Sequence, residues 1–228
     1  MKKILLIGDS IRKGYDAYVR ERMTNLAEVY FPEENCTFTT NILRFLHVWT
    51  DNLKLYEADA VHFNAGLWDT LRIYGDDVLV KPDTYADNLK RIVSRIRFLF
   101  PNAKILFATS TPVCEEGYFT DFESRTNEDV RLYNRIARDV FAGTDVVIND
   151  LYTLAAGFPE SCRSDQTHFY TGEATEKLGN QVCDALCDAL QLDKGKLIRP
   201  ELAPYHYPDR FPSDKEVYVK KGHIYVMR

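Results

Sequence analysis

The sequence lacks a long hydrophobic run, and this absence excludes a helix that could span a membrane. A bilayer span needs about 18–20 apolar residues, and no stretch of this chain approaches that length. Residues 4–7 follow two lysines, as in a signal peptide. However, Gly8-Asp9-Ser10 ends the run well short of the roughly 7–15 apolar residues that such a peptide needs. We therefore expect a cytoplasmic protein with no membrane partner.

Cysteine is scarce, and the motifs that hold metals or nucleotides are missing. The five cysteines are odd in number and none has C-x-x-C spacing, so we expect reduced thiols. Neither the GxxxxGK[ST] loop nor the GxGxxG fingerprint occurs. Asp9, Asp69, Asp165 and His168 could be gathered around a metal, but no HxH or HExxH spacing supports that hypothesis. The sequence predicts no metal and no cofactor.

Basic charge is not in excess, which argues against nucleic acid as a partner. The formal net charge is −5 at pH 7, whereas a nucleic-acid footprint needs a basic face. With 228 residues, 45% hydrophobic and 28% charged, the chain has the composition of a globular protein with its own core. The sequence does not indicate an oligomeric state.

Short apolar runs alternate with helical periodicity, which is typical of a parallel α/β protein. The runs cover residues 3–7, 26–31, 58–63, 104–109 and 145–148. Helices are predicted over 40–56, from a capping Thr84 to about 100, from Thr126 to Gly143, and after Thr171. The expected buried stripe of the 40–56 helix is Leu43, Leu46, Leu53 and Tyr56. The pattern predicts an α/β/α sandwich of three layers around a five-stranded parallel sheet.

The end of the chain has a different character. Prolines at 200, 204, 208 and 212 give an irregular segment, and residues 216–226, EVYVKKGHIYV, predict two short strands around a Lys-Gly turn. We therefore expect one domain over residues 1–190 and a proline-rich extension over 191–228 that ends in a β-hairpin. Because an isolated hairpin is marginally stable, we expect it to pack on the main domain or on a second subunit.

A serine, a histidine and an aspartate lie at the ends of predicted elements, where a parallel sheet gathers its ligands. Ser10 follows the first strand, and His168, three residues after Asp165, precedes the last helix. A histidine can take the proton of a serine while a carboxylate orients the imidazole. Each residue also has a structural interpretation, since a serine after a strand commonly caps a helix. Their joint placement favours catalysis.

Gly8-Asp9-Ser10 and Asp165-Gln166-Thr167-His168, on this order of elements, resemble the SGNH hydrolase superfamily of GDSL-like lipases and acylhydrolases. The resemblance covers about residues 3 to 190. It implies a flavodoxin-like fold without a metal. It also implies that Ser10 attacks an ester carbonyl, that His168 acts as base and then acid, and that Asp165 orients His168.

Two departures from the family pattern concern the oxyanion hole. The second block usually supplies a glycine N–H, but here it reads ENCTFTTN, so Cys36 or Thr37 is expected to offer the amide. The third block is normally G-x-N-D, but here it reads Gly66-Leu67-Trp68-Asp69. In similar GLWD versions an asparagine precedes the glycine, which makes Asn64 the expected side-chain donor. The predicted oxyanion residues are Ser10, Asn64, Gly66 and Cys36, and the predicted pocket residues are Asp9, Trp68, Asp69 and Tyr74.

The resemblance and the residues predict a metal-independent serine esterase that removes small acyl groups, chiefly acetyl, from a carbohydrate. The expected partner is a small acyl ester such as an acetylated sugar. The residues expected to form a rim for the sugar are Arg72, Tyr74, Tyr118 and Phe119. Two alternatives stay open. One is an O-acyltransferase with the same acyl-Ser10 intermediate, and the other is a catalytically silent glycan-binding module.

Overall fold

A computed structural model describes residues 1–116 and 122–202, together with the backbone of two strands, Glu216–Lys220 and His223–Met227. Tyr118, Phe119 and most of the proline-rich extension lie outside the described residues.

Five strands form one parallel sheet in the order β2-β1-β3-β5-β7. They are β1 (Lys2–Ile7), β2 (Ala27–Tyr30), β3 (Ala60–Asn64), β5 (Lys104–Ala108) and β7 (Val147–Asn149). β2 lies on one side of β1, and the later strands β3, β5 and β7 lie on the other side, so the strand order reverses at β1. Ligands of such folds bind where the strand order reverses, which here is the carboxyl end of β1 and β3.

Helices cover both faces of the sheet. They are α1 (Ser10–Arg22), α2 (Thr39–Asn52), α3 (Pro82–Leu99), α4 (Asn127–Phe141), α5 (Leu151–Ala156) and α6 (Gly172–Leu190). Alternate residues of β1 enter separate hydrophobic clusters, Ile4 and Leu6 on the side of α1 and α6, and Leu5 and Ile7 on the side of α2 and α3. The predicted three-layer α/β/α sandwich is therefore confirmed. No described helix is long and apolar enough to cross a bilayer.

Local signals placed some helix ends correctly and others wrongly. Thr126 caps α4, as predicted. The last helix, predicted to follow Thr171-Gly172, begins at Gly172 with Thr171 as its N-cap. Thr84, however, lies inside α3, because Pro82 at the first helical position starts the helix earlier. The expected burial of Tyr56 is also wrong. Its side chain is 73% exposed, since α2 ends at Asn52 and the chain turns there.

The smaller strands lie outside the main sheet. β4 (Arg72–Ile73) and β6 (Glu123–Ser124) form an antiparallel ribbon beyond the ends of β3 and β5. β8 (Glu216–Lys220) and β9 (His223–Met227) pair antiparallel, which confirms the hairpin. The division of the chain at residue 190 and the packing of the hairpin stay predictions.

Helices α1 and α6 pack closely at Gly179. A Cβ added to Gly179 would lie 2.4 Å from the Cδ1 atom of Tyr18, whose side chain is fully buried. We expect Gly179→Ala to lower the free energy of unfolding by about 1–3 kcal/mol through overpacking, although alanine is the better helix former. Gly157→Ala is the control, because its Cβ would meet nothing nearer than 3.5 Å. Urea denaturation measures both variants, and equal effects would contradict the expectation.

Candidate active site

The three side chains predicted to act together form one hydrogen-bonded chain. The Oγ of Ser10, the first residue of α1, lies 2.7 Å from Nε2 of His168. Nδ1 of His168 lies 2.7 Å and 2.9 Å from the carboxylate oxygens of Asp165. The imidazole can therefore accept the serine proton on one nitrogen while the carboxylate fixes the other nitrogen. The structure brings together the residues that the sequence singled out.

Asp165 also organises the loop that carries His168. Its Oδ1 accepts hydrogen bonds from the backbone N–H groups of Thr167 at 2.7 Å and His168 at 2.8 Å. Burial acts to raise the pKa of Asp165, but the hydrogen bond and charge of His168 and the two amides outweigh burial. The pKa falls well below its ordinary value. The carboxylate is therefore ionised at neutral pH.

The segment after β5 holds this loop against the sheet. The backbone N–H of Cys114 donates to the carbonyl oxygen of Gln166 at 2.7 Å. The guanidinium of Arg163 donates to the carbonyl oxygen of Pro112 at 3.3 Å. Residues 111–114 therefore determine where the Asp165–His168 pair meets Ser10, although they carry no catalytic side chain.

Tyr170 supports the pair from the other side, and sequence reasoning missed it. Its ring stacks on the His168 ring with centroids 4.6 Å apart and planes 16° apart. Its hydroxyl donates to the carbonyl oxygen of Ser10 at 2.9 Å. Gly14 leaves space for this ring, since a Cβ there would lie 3.0 Å from two of its atoms. The sequence feature that could have indicated this role is the position of an aromatic residue, Tyr170, two residues after His168.

Asp9 has a structural role in the turn that presents Ser10. It is the N-cap of α1, and its Oδ1 accepts a hydrogen bond from the N–H of Ile11 at 2.9 Å. Its side chain is fully buried, so the expectation that Asp9 lines the pocket is wrong. Within the described residues the N–H of Ser10 has no hydrogen-bond partner, because the first N–H groups of a helix have none inside the helix. That N–H is available to an oxyanion.

Asn64 lies beside the same turn, at the end of β3. A Cβ on Gly8 would be 1.9 Å from Oδ1 of Asn64, so the contact requires glycine at position 8. The side chain is 2% exposed, and it lies close enough to Asp9 to act to lower the pKa of that carboxyl, which burial raises. The Asn64 amide thus reaches the two residues that precede Ser10. Its role as oxyanion donor stays a prediction.

Cys36 is not the second oxyanion donor. Its backbone N–H donates to the carbonyl oxygen of Gly8 at 3.1 Å, and its thiol is fully buried. The N–H of Thr37 is also occupied, because it donates to Oδ1 of Asn35 at 2.9 Å. The structure therefore corrects both expectations: this loop supports the Gly8 turn and offers neither amide to a substrate.

Gly66 is required for packing. Its φ of 151° and the position of Ser110, whose Oγ would lie 2.3 Å from an added Cβ, leave no room for a side chain. The backbone carbonyl of Ala65 accepts from the hydroxyl of Tyr85 at 2.8 Å, which fixes the loop that follows β3. A role for the N–H of Gly66 in the oxyanion hole stays a prediction.

The other predicted pocket residues separate into different environments. Asp69 is fully buried and accepts from the N–H and Oγ1 of Thr39 at 3.1 Å and 2.5 Å, so it anchors α2 and does not line a pocket. Tyr74 is 56% exposed, and its ring packs on Phe122 beside the β4–β6 ribbon. Trp68 is half-buried in the loop after β3, as a pocket wall would be.

Two arginines near the site were not predicted. Arg12 is fully buried and donates to the carboxylate of Asp16 and to three backbone carbonyls. Arg125 is 6% exposed and lies over Trp68, with its Cζ 5.9 Å from the ring centroid. Arg72, expected at a sugar-binding rim, instead forms ion pairs with Asp129 and Asp77. Isolated arginines carry no motif, so the sequence could not separate these roles.

Comparison with known proteins supports the fold at low sequence identity. No family model matches the chain, and no curated protein matches it. A lipase/acylhydrolase from Enterococcus faecalis matches with a TM-score of 0.65 at 22% identity over 88% of this chain and 100% of the other. An acetyl xylan esterase matches with 0.62 at 14% identity over 81% and 99%. A GDSL-like lipase from Bacteroides thetaiotaomicron matches with 0.63 at 16% identity over 83% and 89%.

The chain has the SGNH hydrolase fold. The resemblance read from Gly8-Asp9-Ser10 and from Asp165 to His168 is thus confirmed at the level of the fold. Within the SGNH fold, the turn after β1 and the loop before α6 meet at the reversal of strand order. The described residues contain no cluster of three or more histidine, cysteine or acidic side chains that could hold a metal.

Asp69 makes the stability of this site depend on pH. Burial, with a smaller contribution from the charge of Asp9, raises the pKa of Asp69 from 3.8 to about 7, although Thr39 opposes the shift. Between these values the folded protein binds a proton that the unfolded chain releases, so the free energy of unfolding falls as the pH rises from about 4 to about 7. An asparagine at this position would not ionise, so we expect Asp69→Asn to gain stability relative to the natural chain across this window and to level off above it.

Urea denaturation at a series of pH values measures this difference. Asp83→Asn, at an exposed position in the first turn of α3, controls for the loss of one negative charge. A difference between Asp69→Asn and the natural chain that stays constant from pH 4 to pH 8 would contradict the assignment.

Proposed function

We propose that the protein is a serine esterase that hydrolyses small acyl esters, chiefly O-acetyl esters of a carbohydrate, through an acyl-Ser10 intermediate. The observation that carries this proposal is the unbroken chain from Ser10 Oγ through His168 to the carboxylate of Asp165. A serine that only capped a helix would need no imidazole at 2.7 Å and no carboxylate behind that imidazole.

The mechanism follows from the positions of these groups. Ser10 Oγ attacks the ester carbonyl carbon while His168 Nε2 takes the hydroxyl proton, and Asp165 stabilises the imidazolium. His168 then gives that proton to the departing alkoxide, which leaves as the alcohol. A water molecule attacks acyl-Ser10 with His168 again as base, and this step releases the carboxylic acid and restores Ser10. The N–H of Ser10 and the amide of Asn64 stabilise the oxyanion in both steps.

The choice of a carbohydrate acetyl ester rests on two observations. One of the proteins with this fold is an acetyl xylan esterase. The half-buried indole of Trp68 in the loop after β3 gives a flat surface on which a sugar ring can stack. An acyltransferase would share the acyl-Ser10 intermediate, and it is distinguished by the transfer of the acetyl group to a sugar in place of water.

The nucleophile is tested by Ser10→Ala. We expect this variant to fold normally and to lose roughly 10⁴–10⁶ in kcat on 4-nitrophenyl acetate, because the acyl-enzyme cannot form. A fluorophosphonate probe should label the natural chain at Ser10, identified by mass spectrometry of peptides, and should not label the variant. Ser94→Ala, at an exposed position of α3, is the control. Near-normal hydrolysis by Ser10→Ala would refute the mechanism.

The oxyanion hole is tested by a second pair of variants. We expect Asn64→Ala to lower kcat by roughly 10²–10³, the usual effect of the loss of one such donor. Trp68→Phe, which keeps an aromatic wall, should be much milder. Because Asn64 also packs on Gly8, urea denaturation must show that Asn64→Ala remains folded under the assay conditions. A loss in Trp68→Phe as large as in Asn64→Ala would reverse the two roles.

A further inference from the structure

Arg125 is a buried cation that the mechanism above does not use. It follows β6 directly and precedes Thr126, the N-cap of α4, so regular structure fixes its backbone on both sides. The side chain is 6% exposed, and its Nε donates to the carbonyl oxygen of Leu67 at 2.6 Å. This bond turns the guanidinium toward Trp68.

The charge of Arg125 is not neutralised by an ion pair within the described residues. Its one hydrogen bond there is the bond from Nε to Leu67, which leaves the N–H groups of both Nη atoms without partners. Arg12, the other deeply buried arginine named above, has the carboxylate of Asp16 at 2.5 Å. The Nη atoms are not among the buried polar atoms that lack a partner, so they face solvent, and this open end of Arg125 offers charged donors to an anion.

This open end lies near the turn that carries Ser10. Leu67, which accepts the bond from Nε of Arg125, lies in the loop directly after β3. β3 pairs with β1, and Asn64 at its end meets Gly8, two residues before Ser10. The charge of Arg125 accordingly acts to lower the pKa of Asp9, which burial raises. Arg125 is therefore placed to contact a substrate while its ester carbonyl is held at Ser10.

We propose that Arg125 binds a carboxylate of the ester substrate through its two Nη groups, so that the acylated carbohydrate is a sugar acid. This proposal rests on the esterase function proposed above. With Nε bound to Leu67, the two Nη atoms present the planar fork that matches the two oxygens of a carboxylate. The Trp68 ring next to the guanidinium gives the sugar ring an apolar surface. Arg125 would thus bind the carboxylate of the substrate, and Trp68 would contact its sugar ring.

The test compares two matched mono-O-acetyl sugars, glucuronic acid and glucose, which differ only in a carboxylate or a hydroxymethyl group. We expect the natural chain to prefer the acid in kcat/KM, and Arg125→Gln to lower this preference by about 10- to 100-fold through the loss of charged hydrogen bonds. Arg125→Lys should recover part of it, since one ammonium cannot form the fork. Arg22→Gln controls for net charge, because Arg22 lies at the far end of α1 and donates to Ile198.

Binding provides a readout that does not depend on hydrolysis. Calorimetry with the Ser10→Ala variant should show binding of glucuronate, and the added change Arg125→Gln should abolish it. The same preference in the natural chain and in Arg125→Gln would overturn the proposal, as would tighter binding of glucose 6-phosphate, which would assign the site to phosphate. If the natural chain hydrolyses no ester, including 4-nitrophenyl acetate, the esterase function fails, while the calorimetry still decides whether Arg125 binds a carboxylate.

Discussion

The buried guanidinium of Arg12 holds the turn between β1 and α1 in place, and the position of Ser10 depends on that turn. It donates to the carbonyl oxygens of Gly8, Pro32 and Glu34, at 3.4, 2.9 and 2.7 Å, and it pairs with Asp16. One side chain thus ties the end of β1, the first turns of α1 and the loop after β2 to each other. Removing a charge that satisfies so many buried groups would leave each of them without its partner.

Three aspartates near the site, two of them buried and one half-buried, show how environment assigns different tasks to one residue type. Asp165 has His168 and two backbone amides around it, so its pKa falls and it remains an anion. Asp9 and Asp69 accept helix-terminal amides, yet burial dominates and raises the pKa of both. Two of the carboxylates therefore shape the loops that carry the site, and only the third faces the histidine.

The SGNH fold places these groups at one edge because its strands are parallel. Ser10, Asn64 and the segment after β5 all lie at or just beyond the carboxyl ends of neighbouring strands. The loop that bears His168 comes from a later part of the chain and is joined to the sheet by the bond between Cys114 and Gln166. The geometry of the candidate site thus depends on backbone contacts between loops as much as on the side chains of Ser10, His168 and Asp165.

The sequence by itself determined the sheet, the main helices and the serine, histidine and aspartate at the site. These features show as local patterns: short apolar runs, capping residues such as Thr126, and the spacing of Asp165 and His168. Local patterns involve residues close together in the chain, so they can be read from the sequence alone. Only the tertiary structure decided which amides and charges are free. The N–H of Cys36 is occupied by Gly8, and the charge of Arg125 lacks a partner among the described residues. Those facts depend on contacts between residues far apart in the chain, which no local pattern encodes.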